Sequence, residues 1–391
     1  MARKTEVPIT GSVLAWALDE AGLSVADLAS RAKVTPAVVE AWIKETERPG
    51  KTEFAKIVDA VRRPSAIFYM PAPPVQAALP AAFRRAPGPE HHATAAQARR
   101  EVRKARRIQK VMSWLLESDR EHLDLPTLDP GRTTPIQAGQ LLRARIGVTL
   151  NEQADWANES FALREWRSIF DDLNILTFSL QLGKDDVRGF SVWDARAPIV
   201  AVNTAYNEYA RIFTMAHELG HLVSRSESVC YGWVGPEDQE NTALERWCEK
   251  FAASFLLPPD ELRVYLSANF GITPFNPVVT FERVIRIARK LKVSARALTL
   301  SLIDVQLAPR SLYREVDKRA KVVDRPRESE GGGGGRPTAE KRLRQYGPRV
   351  SQAMTEAVAS GVLPAWDAAD FLDVSLGDLQ DISEAVLGRG R

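Results

Sequence analysis

Apolar positions recur at helical spacing along most of the chain, and runs rich in β-branched residues are few. Leu14, Trp16, Ala17, Ala21 and Leu23 mark an amphipathic helix near the start. Ser24 is placed to cap a second helix from Val25 to Ala32, and Thr35 to cap a third with Pro36 at its first position. A long helix is expected over 95–116, with Val102, Ala105, Ile108, Met112, Leu115 and Leu116 as its apolar stripe. Helical spacing returns over 136–146 and 161–173, and again through Val284, Ile285, Ile287, Ala288 and Leu291. Beyond them, 343–358 reads as a helix and 365–387 as a helical hairpin with Ser375 as a cap. Only 174–178, 190–192 and 199–202 read as strands. The expected class is therefore α+β and mostly helical: an N-terminal helical bundle, a domain with a small β-sheet, and a C-terminal helical tail.

Punctuation divides this pattern. Prolines 71, 73, 74, 80, 87 and 89 make an extended connector, and five consecutive glycines at 331–335 make a flexible linker. The expected domains are 1–72; 73–125, holding the connector and the long helix; 126–325; the linker 326–338; and 339–391. Lys and Arg total 53 against 50 Asp and Glu, so the whole chain does not announce a nucleic-acid binder. Basic residues nonetheless crowd the long helix at Arg99, Arg100, Arg103, Lys104, Arg106, Arg107 and Lys110. Such a face suits phosphates, an acidic partner or plain solvent. The two cysteines, Cys230 and Cys248, are too few for a disulfide framework and read as buried thiols flanking the central site, with a redox or metal role as the rarer alternative. No run reaches the roughly 20 apolar residues that cross a bilayer, and the N-terminus lacks signal-peptide character. The expectation is a cytoplasmic protein with no membrane partner.

Chemistry concentrates at His217-Glu218-Leu219-Gly220-His221. On a helix, side chains four apart lie one above the other, so both imidazoles can face one metal ion. Zinc with three protein ligands and an open position lowers the pKa of its water to about 7, which makes Glu218 a candidate general base. The apolar neighbours Ile212, Phe213, Met215, Ala216, Leu219, Leu222 and Val223 place the motif in a core, where charged groups need partners. Glu245, opening another apolar helical stretch, is the candidate third ligand. Glu249, one turn further on the same face, is its rival, and a surface ion pair is the bland role for Glu245. Arg188, Tyr206, Tyr209 and Arg211 are candidates for stabilising an oxyanion. His91 and His92 have no partner at metal-site spacing and read as loop residues.

Arg188-Gly-Phe-Ser-Val-Trp-Asp194, Ala197-Pro-Ile-Val-Ala-Val-Asn-Thr204, Arg211 to His221 and Glu245 to Pro258 together resemble the ImmA/IrrE family of bacterial metallopeptidases. The resemblance implies a zincin-like peptidase domain with a small sheet on the active-site helices. It implies Zn2+ held by His217, His221 and Glu245, with Glu218 as the catalytic residue. Many members have asparagine where this chain has Glu249, a departure that favours Glu245 as the ligand. Leu291-Lys-Val-Ser-Ala-Arg-Ala-Leu298 is similar to the family's helical subdomain, and the C-terminal tail to that of its longer members.

The N-terminal unit resembles an XRE-type helix-turn-helix domain through Gly22-Leu-Ser-Val-Ala-Asp-Leu-Ala29, Val38-Val-Glu-Ala-Trp42, Arg48-Pro49 and Pro64 to Pro71. That resemblance implies DNA contact, with Thr35, Lys44, Arg48 and Lys51 as candidate DNA-binding residues and Lys56 in the same basic group. The start of the third helix offers Thr35, Pro36, Ala37 and Glu40, without the Arg, Asn or Gln that reads bases in bidentate fashion. Dimerisation or protein docking by this unit stays open. The expected function is a zinc-dependent site-specific endopeptidase coupled to a helix-turn-helix domain. Its substrate would be a transcriptional repressor or antitoxin, cleaved to switch on a stress, mobile-element or defence response. Two other readings remain: an XRE-family regulator whose zinc site is sensory or structural, and a toxin–antitoxin-type interaction module.

Overall fold

Helix caps and buried stripes organise the N-terminal part. The computed structural model describes residues 6–21, 23–61, 63, 65–73, 92–117, 125–183, 187–226, 228–231, 239–278, 280–320 and 338–387. Packing divides the chain into two units, Met1–Arg103 and Lys104–Arg391. Unit 1 holds α1 (Gly11–Ala21), α2 (Val25–Ala32), α3 (Pro36–Ile43), α4 (Lys51–Val61), a 3-10 turn over Ser65–Tyr69, and the start of α5 (His92–Leu115). Ser24 and Asp27 form a reciprocal capping box that starts α2. Leu14, Leu28, Val39, Trp42, Ile57 and Phe68, each at most 2 % exposed, fill the core between these helices. The Pro-rich connector over 74–91, with His91, lies outside the described residues, as does the glycine linker up to residue 337.

In unit 2, α6 (Pro135–Ile146), α7 (Leu150–Asp155) and α8 (Glu159–Asp172) lead into β1 (Leu176–Leu180), β2 (Val187–Val192) and β3 (Ile199–Asn203). Then follow α9 (Glu208–Val223), β4 (Ser228–Tyr231), α10 (Gln239–Leu256), α11 (Pro259–Phe270), α12 (Phe281–Lys290), α13 (Ala295–Asp304) and α14 (Arg310–Ala320). The tail forms α15 (Ala339–Ala359), α16 (Ala365–Leu372) and α17 (Leu376–Leu387). The sheet order is β1-β3-β2-β4, with β1 parallel to β3 and the other pairs antiparallel. Every residue of β3 is buried, as a strand covered on both faces requires. Helix α9 packs on β2 and β3, α8 on β1, and α10 lies against both α6 and α9. Strand β1 starts later than its sequence pattern suggests, because Asn174 takes a left-handed turn (φ 61°) that ends α8.

The tail closes the β1 end of the sheet. Tyr346 packs edge-on against Phe178 at 5.2 Å, and Arg167 donates to the Thr177 carbonyl and to that of Arg344 at 3.0 and 2.8 Å. Gly347, at φ 82°, kinks α15 just before Pro348 and brings the backbone against Thr177. Only glycine takes that conformation cheaply. Burial pushes the Asp171 carboxyl up to about 7, although Arg167 and Arg349 pull it down. At the other end of β3, Asn203 accepts the N–H groups of Leu182 and Ala205 and donates to the carbonyls of Gly183 and Val187. Gln109 of α5 donates to the carbonyls of Val192 and Ala197 at 3.0 Å each, holding the β2–β3 connection.

One turn recurs at the ends of α2, α12 and α16. Lys33, Lys292 and Asp373 adopt left-handed backbone at φ 59°, 56° and 56°. The following Val34, Val293 and Val374 donate to the carbonyls of Ala29, Ala288 and Ala369 at 3.0, 3.1 and 2.9 Å, satisfying helix-end acceptors. Ser294 and Ser375 then accept the N–H groups of Ala297 and Asp378 and start the next helix. Thr35 holds the same place before α3 but makes no side-chain cap bond, contrary to the sequence expectation. Pro36 presets the first helical dihedral there.

Asn203→Ala is expected to cost roughly 2–3 kcal/mol, because buried carbonyls lose their donor. Urea unfolding measures it, and a loss near zero would show the amide to be dispensable. Since the folded pKa of Asp171 is raised, its contribution to stability is fullest below the unfolded value near about 4 and is lost as pH rises through about 7. Asp171→Asn is therefore expected to raise the thermal midpoint above pH 7 and to lose that advantage in acid. A midpoint difference independent of pH would contradict this.

Candidate metal centre

Asn207 starts α9 by accepting the Ala210 N–H at 2.9 Å, and Arg225, left-handed at φ 58°, follows its end. Ile212, Met215, Leu219, Leu222 and Val223 bury the helix between the sheet and α10. His217, Glu218 and His221 go in with them, at 3 %, 0 % and 1 % exposure. The imidazole rings, one turn apart on the helix, meet edge-on with centroids 5.0 Å apart. Gly220 lets α10 approach, since a Cβ there would meet the Cys248 and Phe251 side chains at 3.1–3.2 Å.

That approach delivers Glu245. Its Oε2 lies 3.0 Å from His217 Nε2 and its Oε1 3.3 Å from His221 Nε2, while the two Nε2 atoms are 3.2 Å apart. Glu249 is exposed and stands apart from this cluster. The two nitrogens stand close to the roughly 3.3 Å edge of a tetrahedron with bonds of about 2 Å, and each has one carboxylate oxygen at a similar distance, so the set fits one small divalent ion. Two imidazoles and a carboxylate are also the donor chemistry that zinc and its neighbours accept. The ligand atoms lie within 4.8 Å of one another.

Electrostatics bind the trio together. Burial alone would lower the His217 pKa, but the hydrogen-bonded Glu245 and the charges of Glu218 and Glu249 raise it above its ordinary value. Burial would raise that of Glu245, yet the two histidines hold its carboxyl at about 2. His221 Nδ1 lies 2.9 Å from Ser226 Oγ. A proton donated there leaves Nε2 with a free lone pair facing Glu245. Ser226, which meets Ser224 Oγ at 2.9 Å, is a residue the sequence reading missed. A polar residue just past the helix end was the only signal for it.

The remaining candidates make contacts of their own. Arg188 lies over the Tyr206 ring at 5.5 Å, and Arg211 donates to Ser179 Oγ at 3.3 Å, on β1. Cys248 is buried in the core beside Gly220 and outside the His–His–Glu cluster; the Cys230 side chain lies outside the described residues. Thr35, Lys44, Arg48 and Lys51 stand exposed on unit 1, with Lys44 3.8 Å from Glu40. Lys56 instead donates to the Ala32 carbonyl at 2.8 Å, closing α2. On α5, Arg99 is buried and donates to the Asp19 carbonyl at 2.6 Å. Lys104 and Arg107 pair with Asp373 and Asp370 at 2.9 and 2.5 Å. Part of the basic face thus has an acidic partner in its own chain.

A divalent ion that binds only the folded chain stabilises it, by about 2.7 kcal/mol at a hundredfold excess over Kd. Adding zinc to chelator-stripped protein is expected to raise the thermal midpoint, and Glu245→Ala to remove most of that rise while Glu249→Ala keeps it. An equal rise in all three proteins would exclude Glu245 from the ligands.

Residues 170–302 match the model of the peptidase family Peptidase_M78, described as the IrrE N-terminal-like domain. The match takes in all four strands and His217, Glu218, His221 and Glu245. No curated protein and no solved structure matches the chain. Over residues 170–302 the match supports the ImmA/IrrE family and with it a metallopeptidase, and the His–His–Glu cluster in that stretch could hold a metal ion.

Proposed function

We propose that the chain is a zinc-dependent endopeptidase that cuts a DNA-binding repressor or antitoxin and is coupled to an XRE-type helix-turn-helix unit. The observation that carries this reading is the convergence of His217, His221 and Glu245 on one point, with Glu218 buried on the same helix. His217, His221 and Glu245 would hold the ion. Bound there, zinc supplies a Lewis acid and a water that ionises near neutrality. Glu218 takes the proton from the attacking water on its carboxylate and returns it to the departing amine nitrogen as the peptide bond breaks. Ser226 fixes the His221 ring, and Gly220 keeps α10 close enough for Glu245 to reach.

Strand β4 is the end strand of the sheet and follows α9 directly. An extended peptide can add to such an edge through main-chain hydrogen bonds, with alternate side chains read by pockets. The β1 end is covered by α15, which favours β4 as the substrate edge. For unit 1, the left-handed turn between α2 and α3 supports the helix-turn-helix reading. Thr35, Lys44, Arg48 and Lys51 are exposed there for contact with DNA, and a homodimer would set two such units on one site.

Glu218→Gln is expected to lower peptide-bond cleavage at least about a hundredfold while leaving zinc content and fold intact. Mapping new N-termini across the proteome, in cells carrying wild type or the variant, reads the outcome. Termini in one DNA-binding protein that vanish in the variant support the proposal. The same termini in both strains would overturn it.

A further inference from the structure

The α16–α17 hairpin carries a single sign of charge. Asp367, Asp370, Asp373, Asp378, Asp381 and Glu384 stand between Ala365 and Leu387, without a lysine or arginine among them. Helix α5 carries the opposite sign, through Arg-Arg-Glu-Val-Arg-Lys-Ala-Arg-Arg-Ile-Gln-Lys from Arg99 to Lys110. Within unit 2 the two meet along a matched seam. Lys104 reaches Asp373 at 2.9 Å and Arg107 reaches Asp370 at 2.5 Å, so residues one turn apart on α5 meet residues one turn apart at the end of α16, in reverse order. The Arg107 guanidinium also lies over the Phe371 ring at 4.6 Å, and Asp373 receives Arg342 as well.

The Arg107–Asp370 half of the seam is open to water, whereas Lys104 keeps 25 % of its side-chain surface exposed. Arg107 and Asp370 keep 58 % and 64 % of their side-chain surface exposed, and ion pairs in that setting are individually weak. A nucleic-acid duplex offers one negative charge per about 1.7 Å and gains counterion-release entropy when lysine and arginine bind it. It can therefore compete with two aspartates for the same cations. We propose that Lys104 and Arg107 belong to a phosphate-binding face of α5, and that the acidic α16–α17 hairpin covers this face, so that hairpin and duplex exclude one another. The contact is sequence-independent, because phosphate contacts position without reading bases. It is separate from DNA contact by α3 and does not rest on the peptidase chemistry.

The test uses the full chain and a fluorescein-labelled DNA duplex of random sequence, followed by anisotropy at low salt. Asp370→Asn is expected to tighten binding at least about threefold and to steepen the dependence on salt, by about 0.9 in log–log slope for each phosphate gained. Asp381→Asn removes the same formal charge from the hairpin without touching the seam and is expected to leave affinity unchanged. Adding Lys104→Gln and Arg107→Gln to Asp370→Asn is expected to erase the gain. No gain in Asp370→Asn, an equal gain in Asp381→Asn, or a gain that survives the loss of both cations would each overturn the proposal. Thermal midpoints within a few degrees of wild type verify that Asp370, an exposed position, was exchanged without unfolding the hairpin.

Discussion

The structure of unit 2 depends on keeping two imidazoles and a carboxylate satisfied inside an apolar core. Helix α9 buries His217, Glu218 and His221 among the same side chains that anchor it to the sheet. Polar groups taken out of water without partners cost several kcal/mol, so a helix of this composition is stable only with a second element that answers it. Helix α10 is that element. Its Glu245 reaches both Nε2 atoms, and the reach exists because Gly220 removes the Cβ that would hold the helices apart. Trp247, Phe251 and Phe255 on the same helix supply the apolar contact that keeps the approach. Site and core are thus one packing problem, in which α9 and α10 cannot separate without exposing the core and stranding the histidines.

What was legible in the sequence follows from how local the physics is. The spacing His217–His221 is a property of one helix, and a cap such as Ser24 is settled within four residues, so both could be read directly. Glu245 could be named because its helix has its own apolar period and the family resemblance favours it over Glu249, but its reach to both Nε2 atoms depends on the crossing of α9 and α10. Strand β4 gave no period to read, being four residues long and defined by pairing with β2. Least legible were the partners of the basic face on α5. Asp370 and Asp373 lie more than 260 residues further along the chain, and no local pattern ties them to Lys104 and Arg107. A near-neutral total charge hid the fact that the two signs are gathered on separate elements.

The same distinction explains why the tail is more than an appendage to the sheet. The stretch that matches the peptidase family ends at residue 302, before α15 begins. A four-stranded sheet without α15 would present β1 as a bare edge, and bare edges invite pairing with other chains. In this chain the edge is occupied: Arg167 holds the Thr177 carbonyl, Tyr346 covers Phe178, and the Gly347 kink lays backbone where another strand would dock. The opposite end strand, β4, emerges from the turn that carries Ser226 and is the one nearest in sequence to the histidines. On the proposed reading, closing one edge with a distant helix leaves β4 as the end strand to which an extended peptide would add. The tail thereby settles which edge of the sheet is closed without supplying a side chain to the His–His–Glu cluster.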